Sequence, residues 1–305
     1  MRLIPNAPWI FFSAAALPLT LPSQGKLDEA WEYILLQLDS FRHPVTELVA
    51  SILCLHRSVT ALTQEEQDRC IEEQYGYFER ARSAFDSLPE SQRKSHDFRE
   101  LMELGFRAMI NSLVRLGDLA RARVVCDRAI AFQPGSAAAW SDRGLVRYPE
   151  VGAIEDFRKA IELGSDSYVP CYHLAHCSLA ENHFRLAHTW IEKALAAHTP
   201  PGKRIQAQLH SWLAICEDML GADRGIVEAH FKRALEIDPD HELVKDGYRV
   251  FLDSATGSSR LTPPKWNMTA GKWEDFDLSV FDRQRQLGEA IRRTSPVKRE
   301  LQNVA

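Results

Sequence analysis

The residues with the strongest claim to chemistry lie between positions 171 and 177. Cys171-x-His173-x-x-His176-Cys177 places four metal-binding side chains within one short stretch. On a helix, His173, His176 and Cys177 fall within about 100° of one another, so two or three of them could face a Zn²⁺ ion. A structural zinc site needs four ligands, and no second ligand pair stands at a typical zinc spacing. Cysteines that pack and histidines that face a groove are therefore expected, with no metal and no cofactor. The catalytic signatures are missing too. There is no Gly-x-Ser-x-Gly, no glycine-rich phosphate loop and no His-Glu-x-x-His. Aspartates and glutamates are scattered along solvated helix faces, and no Cys–His pair is singled out as nucleophile and base. The expectation is a protein that is not an enzyme.

Composition narrows the class further. The chain has 305 residues, 45% hydrophobic, with a formal net charge of −5. Mild acidity does not suggest a nucleic-acid partner or a basic membrane-surface protein. The six cysteines, Cys54, Cys70, Cys126, Cys171, Cys177 and Cys216, fall inside predicted helices rather than in a secreted disulfide pattern. Free thiols in a reducing, cytoplasmic setting are the expectation.

The elements that position these residues repeat. Ala122, Cys126 and Ala129 recur as Ala153, Phe157 and Ala160, then Ala187, Ile191 and Ala194, then Val227, Phe231 and Ala234. A small or β-branched residue, an apolar one (once a cysteine) four later and an alanine three after that share one face of a helix. The alanines admit close helix packing and the larger residue fills the gap. The preceding halves agree: Phe106, Met109, Ile110 and Leu113 before Gly117, then Trp140 and Gly144, then Cys171, Leu174 and Ala175, then Leu213 and Ala214 before Gly221. Units are placed at 103–136, 137–167, 168–201 and 206–240, the second of them shortened at Tyr148–Gly152.

With a spacing close to about 34 residues, the chain resembles the tetratricopeptide repeat family, which builds one antiparallel helix pair per unit. The resemblance covers a little under half of the chain. It implies an all-α fold: a right-handed superhelical solenoid of helix pairs, with a C-terminal capping helix and an extended tail. It also implies a groove lined by the first helices, with Arg107, Asn111, Ser141, Leu145, Tyr172, His176, Leu179, Ser211 and Ile215 along it. Some family members clamp the C-terminal carboxylate of chaperones. Arg107 and Asn111 stand at the two clamp positions of the first repeat. The rest departs, with Asp142 for the second repeat's amide and Val169 and His173 for the third repeat's basic pair, so little carboxylate selectivity is expected.

Outside the repeats, residues 1–25 are apolar with one charged side chain, Arg2. The run Trp9–Leu17 is too short to span a bilayer. Prolines on both sides, and Gly25-Lys-Leu27-Asp-Glu-Ala30 copying a repeat turn, favour a retained buried helix over an export signal. Residues 26–102 read as divergent helical hairpins, with a capping box at Thr63–Glu66 opening the third helix. Residues 241–253 read as the capping helix. Residues 254–305 read as a linker and tail containing Trp266, Trp273 and Phe276, a short helix from Leu278 to Arg293, and a basic bias over 283–299. The functional expectation is a scaffold or adaptor that takes a peptide or helix in the groove, with a protein partner and neither nucleic acid nor membrane. The alternatives are a regulatory or assembly subunit acting through its Trp-containing, basic tail and, behind it, an enzyme with an atypical site.

Overall fold

The computed structural model describes residues 27–40, 43–85, 87–94 and 96–254. The expectations for residues 1–25, the linker, Trp266, Trp273, Phe276, the helix at 278–293 and the basic stretch lie outside the described residues. Among the described ones the chain is helical, and its only β feature is an isolated parallel bridge between Ser167 and Thr199. Successive helices pack against one another in pairs. They fall into two compact units, divided between Pro134 and Gly135.

Unit 1 holds α1 (Leu27–Ser40), α2 (Pro44–Thr60), α3 (Gln64–Phe85), the single turn α4 (Glu90–Arg93), α5 (His96–Leu116) and α6 (Leu119–Phe132). Helix α2 starts where proline suits it, at the first helical position, with the His43 ring accepting the Val45 N–H. It is the centre of the unit and packs against α1, α3 and α5. It is buried from Leu48 to Leu55 and apolar there except at Ser51, whose hydroxyl donates to the Gln74 carbonyl, and Gly105 of α5 comes close enough that a Cβ there would lie 2.9 Å from Leu48 Cδ2. The capping box opens α3: Thr63 Oγ1 accepts the Glu66 N–H, and Glu66 reaches back to the Leu62 N–H.

A run of rings joins α3, α5 and α6. Phe78 meets Phe106 edge-on, and Phe85 stacks on Phe98 and meets Phe132. Helix α5 begins seven residues before the first unit read from the sequence. Its apolar stripe extends back through Phe98, Leu101 and Met102, all buried, so the helix has core to cover before Glu103. Gly117 then turns left-handed at φ +81°, and Asp118 caps α6 by accepting the Arg121 N–H.

Unit 2 holds α7 (Ala137–Arg147), α8 (Val151–Glu162), α9 (Val169–Ala180), α10 (Phe184–Leu195), α11 (Lys203–Met219), α12 (Arg224–Ile237) and α13 (Glu242–Ser254). Each helix packs on the next, α7 also touches α9, and α11 also touches α13. The repeated small and apolar positions are the contact faces. Ala153, Phe157, Ala160, Ala187, Ile191, Ala194, Val227, Phe231 and Ala234 are all 0% exposed. A Cβ on Gly144 would stand 2.6 Å from Phe157 Cε1, and one on Gly247 3.2 Å from Phe231 Cε1. Glycine is therefore the space that each phenylalanine ring fills. Helix α13 buries Val244 and Phe251 against the last pair and turns Glu242, Asp246, Arg249 and Asp253 outward, as the end of a repeat array requires.

Gly144→Ala is expected to cost roughly 1–3 kcal/mol, because the Phe157 ring must leave its rotamer. In a Phe157→Leu background the same change is expected to cost less, with a coupling of at least about 0.5 kcal/mol. Ala160→Trp is expected to cost at least as much as Gly144→Ala. Denaturant unfolding of these variants measures this; equal costs of Gly144→Ala in both backgrounds would disprove the contact.

Candidate functional site

Helix α9 carries the residues that drew attention in the sequence. It has no polar face: Val169 to Ala175 are all buried, as are Cys177, Ser178 and Leu179. A helix apolar all round belongs in an interior. His173 sits at the centre of a set of rings. It stacks on Phe157 at 5.0 Å and 6° between planes, and meets Tyr148 at 4.6 Å and Tyr172 at 5.1 Å. Burial, with His176 nearby, lowers its pKa from 6.5 to about 3. His173 is thus a neutral core ring and not a groove residue or a cation. This removes it from any carboxylate clamp, as the burial of Val169 does.

Next to it runs a polar contact. The Tyr148 hydroxyl and His176 Nδ1 are 2.6 Å apart, and the same hydroxyl bonds the Cys177 thiol. Burial pushes the Cys177 thiol up to about 11 and the Cys216 thiol up to about 12, and raises Cys171 as well. At neutral pH these are thiols, poor nucleophiles and poor metal ligands. All six cysteines are buried, and none forms a disulfide. Among the described residues, no group of three or more His, Cys, Asp or Glu side chains is arranged to hold a metal ion.

The nine groove residues divide by placement. Arg107, exposed, and Asn111, half-buried, lie one turn apart on α5 in unit 1. The other seven belong to unit 2. Ser141 and Leu145 lie on α7, and Ser211 and Ile215 on α11, each no more than 8% exposed. Leu179 has no exposed surface and packs in the core with Ala187 and Ile191. Tyr172 and His176 are brought together with two residues that the sequence reading missed. Tyr172 stacks on Trp212 at 5.0 Å and its hydroxyl donates to Gln208 Oε1 over 3.1 Å, while His176 stands 5.4 Å from the Trp212 ring. His176 and Gln208 are half-exposed. The signal for Trp212 was present, since it is the neighbour of Ser211 on a helix already placed. Tyr148 was hidden by its position in the turn before Pro149.

A buried ion cluster fixes the short α7–α8 hairpin. Asp156, its side chain 2% exposed, accepts from Arg143 Nη2 at 2.7 Å and Arg147 Nη1 at 3.1 Å. Arg143 also lies over the Trp140 ring at 4.7 Å.

No protein-family model matches the chain, and no curated protein matches it. Solved structures similar to it include the APC/C hetero-tetramer Cut9-Hcn1, at 13% identity and a TM-score of 0.43, over 77% of this chain and 48% of that one. Another is a thermophilic TPR protein of Thermus thermophilus, at 15% identity and a TM-score of 0.31, over 79% of this chain and 98% of that one. The chain thus spans about half the length of the first of these. No helix among the described residues is long and apolar enough to cross a membrane.

His173 carries a pH prediction. Its pKa is lower folded than unfolded, so the unfolded chain binds the proton more readily. The stability it preserves is complete above pH 6.5 and is lost as pH falls from there towards 3. Between pH 7 and pH 4 this group alone is expected to remove roughly 3 kcal/mol. His173→Phe, which keeps the stacking shape, is expected to flatten that part of the slope. Urea unfolding at both pH values measures the difference, and parallel slopes would exclude it.

The thiols carry a second prediction. Native protein at pH 7 is expected to take up a maleimide at Cys177 and Cys216 at least about ten times more slowly than urea-unfolded protein. Mass spectrometry of the labelled peptides reads the ratio, and equal rates would contradict their burial.

Proposed function

We propose that the chain is a protein-binding scaffold that takes a peptide or helix along the first helices of its repeats. The observation that carries this reading is the convergence of Tyr172 and His176 from α9 with Gln208 and Trp212 from α11. The stacked Tyr172 and Trp212 rings are buried and hold the two polar side chains above them in place. His176 and Gln208 supply half-exposed polar edges that can bond a peptide main chain. Arg107 and Asn111 form a separate candidate contact in unit 1. Protonated thiols and the missing catalytic signatures give no support to a reaction at this place.

Peptides selected from a displayed library against the full chain provide the ligand, and fluorescence anisotropy provides its Kd. His176→Glu and Gln208→Glu are each expected to weaken binding at least about tenfold, roughly 1.4 kcal/mol, with the melting temperature unchanged. A Kd insensitive to both substitutions would sink the groove reading. The alternative, action through the tail, predicts instead that cutting the chain after Ser254 abolishes capture and that the groove substitutions leave it intact.

A further inference from the structure

Five large apolar side chains stand in solvent at the end of unit 2 formed by α10 to α13. Met219 and Leu220 at the end of α11 are each 42% exposed, Ile226 in the first turn of α12 49%, Leu252 near the end of α13 45%, and Leu186 in the first turn of α10 41%. They share an end because successive helices run in opposite directions. Two contacts tie that end together. His188 Nε2 lies 2.9 Å from Glu217 Oε1, joining the start of α10 to the end of α11. Arg224 Nη2 donates to the Phe251 carbonyl over 2.9 Å, joining the start of α12 to the end of α13. The opposite end of the same helices is polar at its turns, with His198, Lys203, Arg204 and Asp240, and carries one exposed large apolar side chain, Leu243. Single exposed apolar residues are ordinary. Five gathered at one end of these helices, against one at the other, mark a contact surface.

The position of the chain itself argues for the occupant. Ser254 closes α13 at this same end, and 51 residues follow it. They include Trp266, Trp273 and Phe276. Trp266 is 12 residues beyond Ser254, a reach of up to about 40 Å. Helices pack about 8–10 Å apart, so the apolar end of α10 to α13 lies within that reach. Pro263 and Pro264 favour an extended approach. A tether this short holds the aromatic residues at an effective concentration on the order of millimolar, which favours them over a free competitor.

We propose that the end formed by Leu186, Met219, Leu220, Ile226 and Leu252 is the docking surface for residues 261–276 of this same chain, with Trp266, Trp273 and Phe276 as its anchors. This surface is separate from Tyr172, His176, Gln208 and Trp212, and it stands whether or not the groove binds a peptide.

Limited trypsin digestion of the full chain tests it, because Lys265 and Lys272 lie within the docking segment. In the wild type, cleavage at both is expected to be slow. Ile226→Glu with Leu252→Glu, both at exposed positions, is expected to speed it at least about tenfold while the circular dichroism spectrum stays unchanged and the melt falls only by what docking of the tail contributes. Trp266→Ala with Trp273→Ala is expected to give the same acceleration from the tail side, and it leaves unit 2 untouched if the first variant folds poorly. Equal cleavage rates in the wild type and the tail variant would overturn the proposal. So would a wild-type dimer, seen by sedimentation, that the patch substitutions split while cleavage stays the same, since a second copy would then occupy the surface. Peptide affinity at the groove, measured on the same variants, reports separately on the scaffold reading.

Discussion

Unit 2 depends on how closely a helix backbone can approach a phenylalanine ring. Gly144 leaves room for Phe157, and Gly247 for Phe231. The flanking alanines are fully buried because any larger side chain would push the helices apart. Everything at the site follows from this spacing. Tyr172 reaches Trp212 across two pairs, and His173 is driven against Phe157, only because the helices lie at alanine distance. Unit 1 fills its interior by another route, with phenylalanines of α3, α5 and α6 meeting one another.

Asp156 and His173 are two of the buried polar side chains of unit 2, and each is stabilised differently. The Asp156 carboxylate is met by two guanidiniums. His173 has rings on its faces and is neutral, with burial as the cause. One tolerates burial through charge pairing, the other by giving up its charge.

The repeat was legible because its register is carried by local residues. Ala153, Phe157 and Ala160 share a face whatever surrounds them, and the same is true of Gly117-Asp118 as a turn. The capping box at Thr63–Glu66 could be read from four consecutive residues. The site was less legible. Spacing on α9 placed His173, His176 and Cys177 within one arc, but their neighbours come from Tyr148, Phe157 and Trp212, far away in the chain. A helix with no polar face also gives no periodicity to say which side is open. Hence Leu179 was read as groove and lies in the core, while Gln208 and Trp212 were not read at all. The early start of α5 had a visible stripe, but divergent hairpins offered no repeat against which to align it.

Helix α9 has a further consequence. In most repeat arrays each helix keeps a polar side, and units can fray from an end one at a time. A helix with no solvent-compatible side cannot be uncovered in part. Losing either neighbouring pair would expose Tyr172, Leu174 and Leu179 together, so the interior of unit 2 has no stable halfway state to pause in. The repeat that looks most like a metal site in the sequence thus ties the neighbouring helix pairs of unit 2 together.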